Sequence, residues 1–341
     1  MTGAQVRRPT SEEWSAAAGV LAGAGSVALA CHVGPDGDAL GSMLGLGAAL
    51  RARGTDVVAS WGGEPFEVPA AYSFLPALDL LVPADRFPHA PELMVTFDSG
   101  SADRLGSLED RVTAAGEVLV IDHHPTNTRY GTINLIDPAA AATAFMVAQL
   151  LDLLGLPLTA EVAAPLYTGL VTDTGSFKYA ATTADVHQLA ARLLATGIRH
   201  DLISRAIWDT QPFAYLQLLG AAAARSVLEC GAARGAGLVW TTISAADFRA
   251  AGLGMADVEG VIDVVRATHE AEVAAVLKQE PDGSAWRLSV RSKGGVDVGA
   301  VCASLGGGGH LFAAGLTWLD GPEALLDVLR RALDAAPRLA T

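Results

Sequence analysis

Histidines and aspartates gather at four points of this chain, each where an apolar run gives out: His32, Asp36 and Asp38; Asp98; Asp122, His123 and His124; and Asp173. Carboxylate oxygens suit hard divalent cations, and imidazole widens the choice to Mn²⁺, Fe and Zn. Asp36 and Asp38 stand one glycine apart, so on a tight turn their side chains can diverge to serve two neighbouring metals. Taken singly, each residue has a plainer role. Asp36 and Asp38 could make Asx-turns and cap a helix, and Asp98 or Asp173 could be N-caps. Four such clusters in one chain make capping the lesser account. Two cations about 3.5–4 Å apart, clamped by carboxylates with a water between them, are the working parts of a two-metal hydrolase, and this inventory suffices for them.

The elements that must position these residues are legible from periodicity. Residues 26–30 read as a buried strand, Gly34-Pro35-Asp36-Gly37-Asp38 breaks it, and helical spacing resumes at Ala39 and runs through 42–53. Residues 57–60, 93–98 and 118–121 read as further strands, and 143–154, 162–171 and 184–195 as helices. Three clusters therefore follow strands and one follows a helix. Strands alternating with helices predict an α/β fold with a mostly parallel sheet covered on both faces. The carboxyl ends of such strands lie on one edge, where open α/β sheets place their ligands. Residues 197–224 are helical and more polar, and read as a connector. Beyond it, strands at 237–243, 273–279 and 286–291, with helices near 257–268, 298–305 and 322–336, predict a smaller α/β domain. The expected division is 1–196, 197–224 and 225–341.

At 341 residues the chain can bury two cores, and 51% hydrophobic against 18% charged residues is an ordered, globular composition. A net charge of −14 argues against sequence-blind binding to long nucleic acid, though bound divalent metals would reverse the local sign for a short anionic ligand. Cys31, Cys230 and Cys302 are odd in number and widely spaced, which predicts no disulfide framework and a cytoplasmic location. Arg7-Arg8 ahead of an apolar stretch ending in Leu29-Ala30-Cys31 has the outline of an export signal. Glu12, Glu13 and Trp14 interrupt it, and Thr10 with Glu13 reads instead as the capping box of a first helix. No apolar run of membrane-spanning length escapes interruption by glycine, so no membrane partner is expected.

His32-x-x-x-Asp36-x-Asp38, Asp98, Asp122-His123-His124 and Thr172-Asp173-Thr174-Gly175 resemble the four motifs of the DHH phosphoesterase superfamily. Within it the chain is similar to the manganese-dependent bifunctional oligoribonucleases and 3′-phosphoadenosine-5′-phosphate (pAp) phosphatases, the nanoRNase group. The resemblance implies a parallel-sheet DHH domain and a smaller α/β DHH-associated domain, joined by the helical connector, with the active site in the interdomain cleft. It implies two Mn²⁺ ions, with Co²⁺, Mg²⁺ or Zn²⁺ able to take the same ligands. His32, Asp36 and Asp98 would hold the first, and Asp38, Asp98, His123 and Asp173 the second, so that Asp98 bridges. His124 is expected beside the substrate phosphate as donor or proton relay, with Asp122 orienting the adjacent imidazole.

Further on, Gly306-Gly307-Gly308-Gly309-His310 followed by Ala313-Ala314-Gly315 resembles the signature of the DHH-associated domain. Consecutive glycines let a backbone approach an anion and aim its N–H groups at phosphate oxygens; a flexible loop is the alternative. By the resemblance, Gly307, Gly308, Gly309 and His310 bind the nucleotide end of the substrate together with Arg291 and Ser292, and Lys293 stands in the same turn. The expected substrates are short oligoribonucleotides, cut to 5′ mononucleotides, and pAp. Cyclic dinucleotides such as cyclic di-AMP, or their linear products, are the alternative. Inorganic pyrophosphatase or exopolyphosphatase activity fits the two-domain layout less well, and a catalytically silent nucleotide-binding regulator would have no need of the full ligand set. A homodimer is expected from the relatives.

Overall fold

The computed structural model describes residues 7–339, so the first six and last two positions of the expected domain ranges lie outside the described residues. The chain divides after Thr210 into two units.

The first unit opens with α1 (Ser11–Gly23), which begins on the capping box read from the sequence: the Thr10 hydroxyl accepts from Glu13 N and the Glu13 carboxylate accepts from Thr10 N. Then come β1 (Ser26–Cys31), α2 (Gly37–Ala52), β2 (Asp56–Trp61), β3 (Leu93–Phe97), α3 (Glu109–Ala114), β4 (Glu117–Asp122) and β5 (Ile133–Ile136). Helices α4 (Thr143–Leu153), α5 (Ala160–Asp173), α6 (Ala184–Leu194) and α7 (His200–Trp208) complete it. Helix α2 starts at Gly37, earlier than its apolar spacing suggested, because the Asp36 carboxylate caps it by accepting from Asp38 N and Ala39 N, both at 3.0 Å.

All five strands are parallel, in the order β2-β1-β3-β4-β5. Alternate residues feed two cores: Val27, Leu29 and Cys31 face α2, α4 and α5, while Ala28 and Ala30 join Met94, Val118 and Val120 on the other face. The chain reverses its direction of travel across the sheet between β1 and β3, and such switch points open a crevice at the strands' carboxyl ends. His32 and Asp98, each the first residue past its strand, stand there.

Helices α2 and α5 lie unusually close. Gly41 on one and Gly169 on the other meet, so that a methyl added at Gly41 would fall 2.8 Å from Gly169 N, and one at Gly169 would fall 2.7 Å from Asp38 Oδ1. Without side chains there, the approach brings Asp38, in the first turn of α2, to the last turn of α5 and Asp173.

The second unit contains α8 (Phe213–Ala224), β6 (Val227–Glu229), α9 (Ala232–Gly235), β7 (Leu238–Ile243), α10 (Ala245–Ala251), α11 (Val261–Arg266), β8 (Val273–Gln279) and β9 (Trp286–Ser292). Helix α12 (Val298–Ser304), strands β10 (Gly308–His310) and β11 (Ala313–Trp318), and α13 (Pro322–Ala335) follow. Its six strands run β10-β11-β9-β8-β7-β6, parallel only between β7 and β8. Leu238 and Val239 start the alternation that again feeds two cores, one against α12 and α13, the other against α8, α10 and α11. The helix read at 257–268 is two pieces, a short 3₁₀ turn (Ala256–Val258) and α11, separated at Gly260.

The boundary between the units falls inside the segment read as a connector, which is not one element. Ile203 and Ile207 of α7 are buried in the first unit's core, whereas Tyr215, Leu218 and Ala222 of α8 are buried in the second's. All three cysteines are free, Cys31 and Cys302 buried and Cys230 exposed. Among the described residues no helix is long and apolar enough to cross a membrane.

Candidate metal centre

The four clusters converge at the carboxyl edge of the first sheet. His32, Asp36 and Asp98 form one group and Asp38, His123 and Asp173 a second, with the ligand atoms of each group within 4.8 Å of one another. In the first, His32 Nε2 lies 3.9 Å from Asp36 Oδ2 and 3.7 Å from Asp98 Oδ2. In the second, His123 Nε2 lies 3.9 Å from Asp38 Oδ2, 3.4 Å from Asp98 Oδ1 and 3.1 Å from Asp173 Oδ2. Asp98 thus turns one carboxylate oxygen to each group. Its backbone is left-handed (φ 54°), which an aspartate tolerates, and Thr143 Oγ1 donates to its Oδ1 at 3.0 Å.

The donors are aimed. His32 Nδ1 donates to its neighbour Val33 O (2.9 Å) and His123 Nδ1 to Ala140 O (3.1 Å); a carbonyl only accepts, so both rings carry the Nδ1 proton and turn Nε2 towards the carboxylates. Asp36 uses Oδ1 to cap α2, which leaves Oδ2 for His32, so capping and ligation are compatible uses of one side chain. Asp38 is fully buried and held by two amides at the start of α4, Thr143 N to Oδ2 (2.6 Å) and Ala144 N to Oδ1 (2.9 Å).

The electrostatics call for cations. Burial, with the negative charges of Asp98 and Asp173, pushes the Asp38 carboxyl well above the carboxylate range. Burial opposes charge on His32 too, but Asp98 and Asp36 outweigh it and raise the imidazole to about 9. His123 is raised likewise, against burial, by Asp173 and Asp98. Without metal, protons must stand in for positive charge; two divalent cations fit this donor set, each group offering imidazole nitrogen and carboxylate oxygens.

A third grouping, Asp98, Asp122 and His124, is of another kind. Asp122 Oδ1 accepts from His124 Nδ1 (2.7 Å) and from His123 N (2.9 Å), so this carboxylate is occupied in orienting the Asp122-His123-His124 segment. Against the penalty of burial, Asp122 and Asp98 raise the His124 pKa.

Comparison with known proteins bears on the whole of this arrangement. Residues 26–170 match the DHH family N-terminal domain and residues 242–338 the DHHA1 domain. The bifunctional oligoribonuclease and PAP phosphatase NrnA of Thermus thermophilus is 38% identical over 294 residues, 86% of this chain and 84% of that protein. The chain belongs to the DHH phosphoesterase family. A probable NrnA of Streptococcus mutans is 26% identical over 83% of this chain and 86% of its own length. The crystal structure of an exopolyphosphatase-related protein from Bacteroides fragilis superposes with a TM-score of 0.85, covering 96% of each chain at 22% identity, a likeness of fold. DHH phosphoesterases are metal-dependent, in keeping with the two groups around Asp98.

The sequence reading missed Asn127. Its amide donates to Asp122 Oδ2 (2.6 Å) and to Ser99 O (3.0 Å), completing a chain from Asn127 through Asp122 to His124. Its place five residues past Asp122, just before the chain turns at Arg129 (φ 54°), was the available signal.

In the second unit of this DHH protein the glycine-rich segment is not a flexible loop. Residues 308–310 form β10, the outermost strand, paired antiparallel with β11 as Gly308↔Gly315, Gly309↔Ala314 and His310↔Ala313. An edge strand leaves alternate N–H groups without sheet partners, and without side chains at 308 and 309 the backbone itself is presented. Ser292, expected among the substrate contacts, is buried: its hydroxyl donates to Glu272 Oε1 (2.7 Å) and accepts from Gly294 N and Val296 N (both 3.2 Å), shaping the turn after β9. The Lys293 ammonium donates to Thr268 O. Arg291, half-buried, donates from Nη1 to Val290 O at 3.1 Å. Gly307 is required by packing, since a methyl there would meet Leu316 Cα at 3.0 Å.

Proposed function

We propose that this DHH phosphoesterase hydrolyses short oligoribonucleotides to 5′ mononucleotides and removes the 3′-phosphate of pAp to give AMP, with two Mn²⁺ ions. The carrying observation is Asp98, whose two oxygens lie 3.7 and 3.4 Å from the Nε2 atoms of two histidines in separate donor groups. The substrate assignment rests on kinship with proteins named for both activities. Two cations in such a site supply a water nucleophile at neutral pH and neutralise the phosphoryl oxygens.

His32, Asp36 and Asp98 hold one cation, and Asp38, Asp98, His123 and Asp173 the other. His124, held at Nδ1 by Asp122, meets the phosphoryl group or leaving oxygen as hydrogen-bond donor and proton source. Arg291, His310 and the backbone of 307–309 take the nucleotide end, and Ser292 contributes by holding the turn. The protein acts as a homodimer in the cytoplasm.

The test is hydrolysis of pApA, pAp and cyclic di-AMP at equal concentration, with Mn²⁺ and with chelator. Fast metal-dependent turnover of pApA and pAp with slow cleavage of the ring supports the proposal. Preference for cyclic di-AMP replaces it with a cyclic-dinucleotide phosphodiesterase, and absence of metal-dependent turnover of all three overturns it.

A further inference from the structure

Past Asp173 the chain makes a turn of the unusual hand. Gly175, Ser176 and Phe177 have φ of 56, 58 and 64°, three successive left-handed residues of which two carry side chains. A β-carbon crowds the following carbonyl in that conformation, and a bulky aromatic there is an outlier. Such strain persists only where the surroundings over-determine it, and it gathers where a function needs fixed backbone. The surroundings do so here. The buried Thr174 hydroxyl donates to Leu170 O (2.7 Å) and accepts from Phe177 N (3.1 Å). Ser176 N reaches back to Val171 O (2.8 Å), and Lys178 N and Tyr179 N both donate to Thr174 O, at 3.0 and 3.1 Å. The Tyr179 ring covers Gly175, where a methyl would fall 2.7 Å from two ring carbons, and the Phe177 ring packs on His187 at 5.1 Å.

What this fixed turn displays is Ser176 and Lys178, both exposed. The chain has three lysines, at 178, 278 and 293. Lys278 is buried against Glu259 and the Lys293 ammonium donates to Thr268 O, whereas the Lys178 ammonium has no partner among the described residues. In a chain of net charge −14, a lysine five residues past a carboxylate cluster and yet bound to none of it is available to an incoming anion. Its backbone N–H is tied to the carbonyl of Thr174, next to Asp173, so the lysine is anchored on the turn that leaves the metal centre.

We propose that Lys178 binds a phosphate of the substrate other than the one being hydrolysed, so that the strained turn 175–177 selects nucleotides carrying two phosphates. This rests on the function proposed above. The experiment is steady-state kinetics of Lys178→Ala and Lys178→Arg with pAp and with bis(4-nitrophenyl) phosphate, which has one phosphate only, in Mn²⁺. Lys178→Ala should raise KM for pAp roughly tenfold, the scale of one charge-assisted contact, with kcat within about twofold. Lys178→Arg should recover most of the loss, and bis(4-nitrophenyl) phosphate turnover should be unaltered. An unchanged KM for pAp, or equal losses on both substrates, overturns the proposal. Should the unaltered enzyme cleave bis(4-nitrophenyl) phosphate but not pAp, the function proposed above fails on its own; calorimetric binding of pAp to the Mn²⁺-loaded protein then decides Lys178, equal affinity of the unaltered and Lys178→Ala proteins overturning it.

Discussion

In the first unit the candidate chemistry sits on side chains: eight histidines and aspartates from four segments, seven of them held by a backbone group or a neighbouring side chain. In the second it sits on backbone, where Gly308 and Gly309 present an edge strand and Ser292 disappears into a turn. The contrast follows from what each must hold. A cation needs charged donors at set distances, which side chains of the right type supply. A phosphate can be held by N–H groups that every residue owns, so the requirement shifts from residue identity to the absence of a β-carbon. A site of the first kind is broken by changing chemistry, one of the second by changing shape.

Asp98→Asn is the sharpest way to test the first half, because asparagine accepts the left-handed backbone at 98 while losing the charge. Activity should fall on the order of 10³-fold, the scale for deleting one preorganised charge-stabilising group. Calorimetry should find Mn²⁺ binding at both groups weakened; loss at one group alone would refute the bridging role.

Next in size is the pH dependence of the metal-free protein. The His32 pKa, held down by burial but raised more strongly by Asp98 and Asp36, is about 9 against roughly 6.5 unfolded. Stability from the imidazolium is therefore complete below pH about 6.5 and is lost as pH rises towards 9, by roughly 3 kcal/mol at most. Asp38, raised by burial and its acidic neighbours, works in the same direction. Melting temperatures of chelator-treated protein should decline across that window, and saturating Mn²⁺ should flatten the decline. A flat metal-free profile would mean that protons are not substituting for cations.

The smallest effect separates shape from chemistry in the second unit. Gly309 has φ of 140°, and a methyl there would meet Ala314 Cα at 2.6 Å, whereas Gly308 has nothing within 4 Å. Gly309→Ala should destabilise the second unit by about 1–3 kcal/mol, read by denaturant titration. Gly308→Ala should leave stability unchanged and raise KM alone. Equal behaviour of the two would dissolve the distinction between a backbone surface and a merely well-packed hairpin.

Strands β1, β3 and β4 and the Thr10 capping box could be read because their signals are local: an apolar run of strand length, and a threonine three residues before a glutamate. Strands β5, β6 and β10 could not. Each has four residues or fewer, and β10 is written in glycine and histidine, whose pattern carries no period of two. The division of 197–224 between two units was equally hidden, because helical spacing says which face is apolar and not which core receives it.

The sequence by itself determined the types, order and spacing of the candidate metal ligands, because ligand chemistry belongs to the residue and each cluster marks the end of its own strand or helix. Only the tertiary structure decided how they are aimed. Asp38 is held by amides 105 and 106 positions away, the glycine contact between α2 and α5 brings it to Asp173, and Asn127 holds Asp122. Such orientations depend on hydrogen bonds and close packing between segments far apart in the chain, and no local pattern carries them.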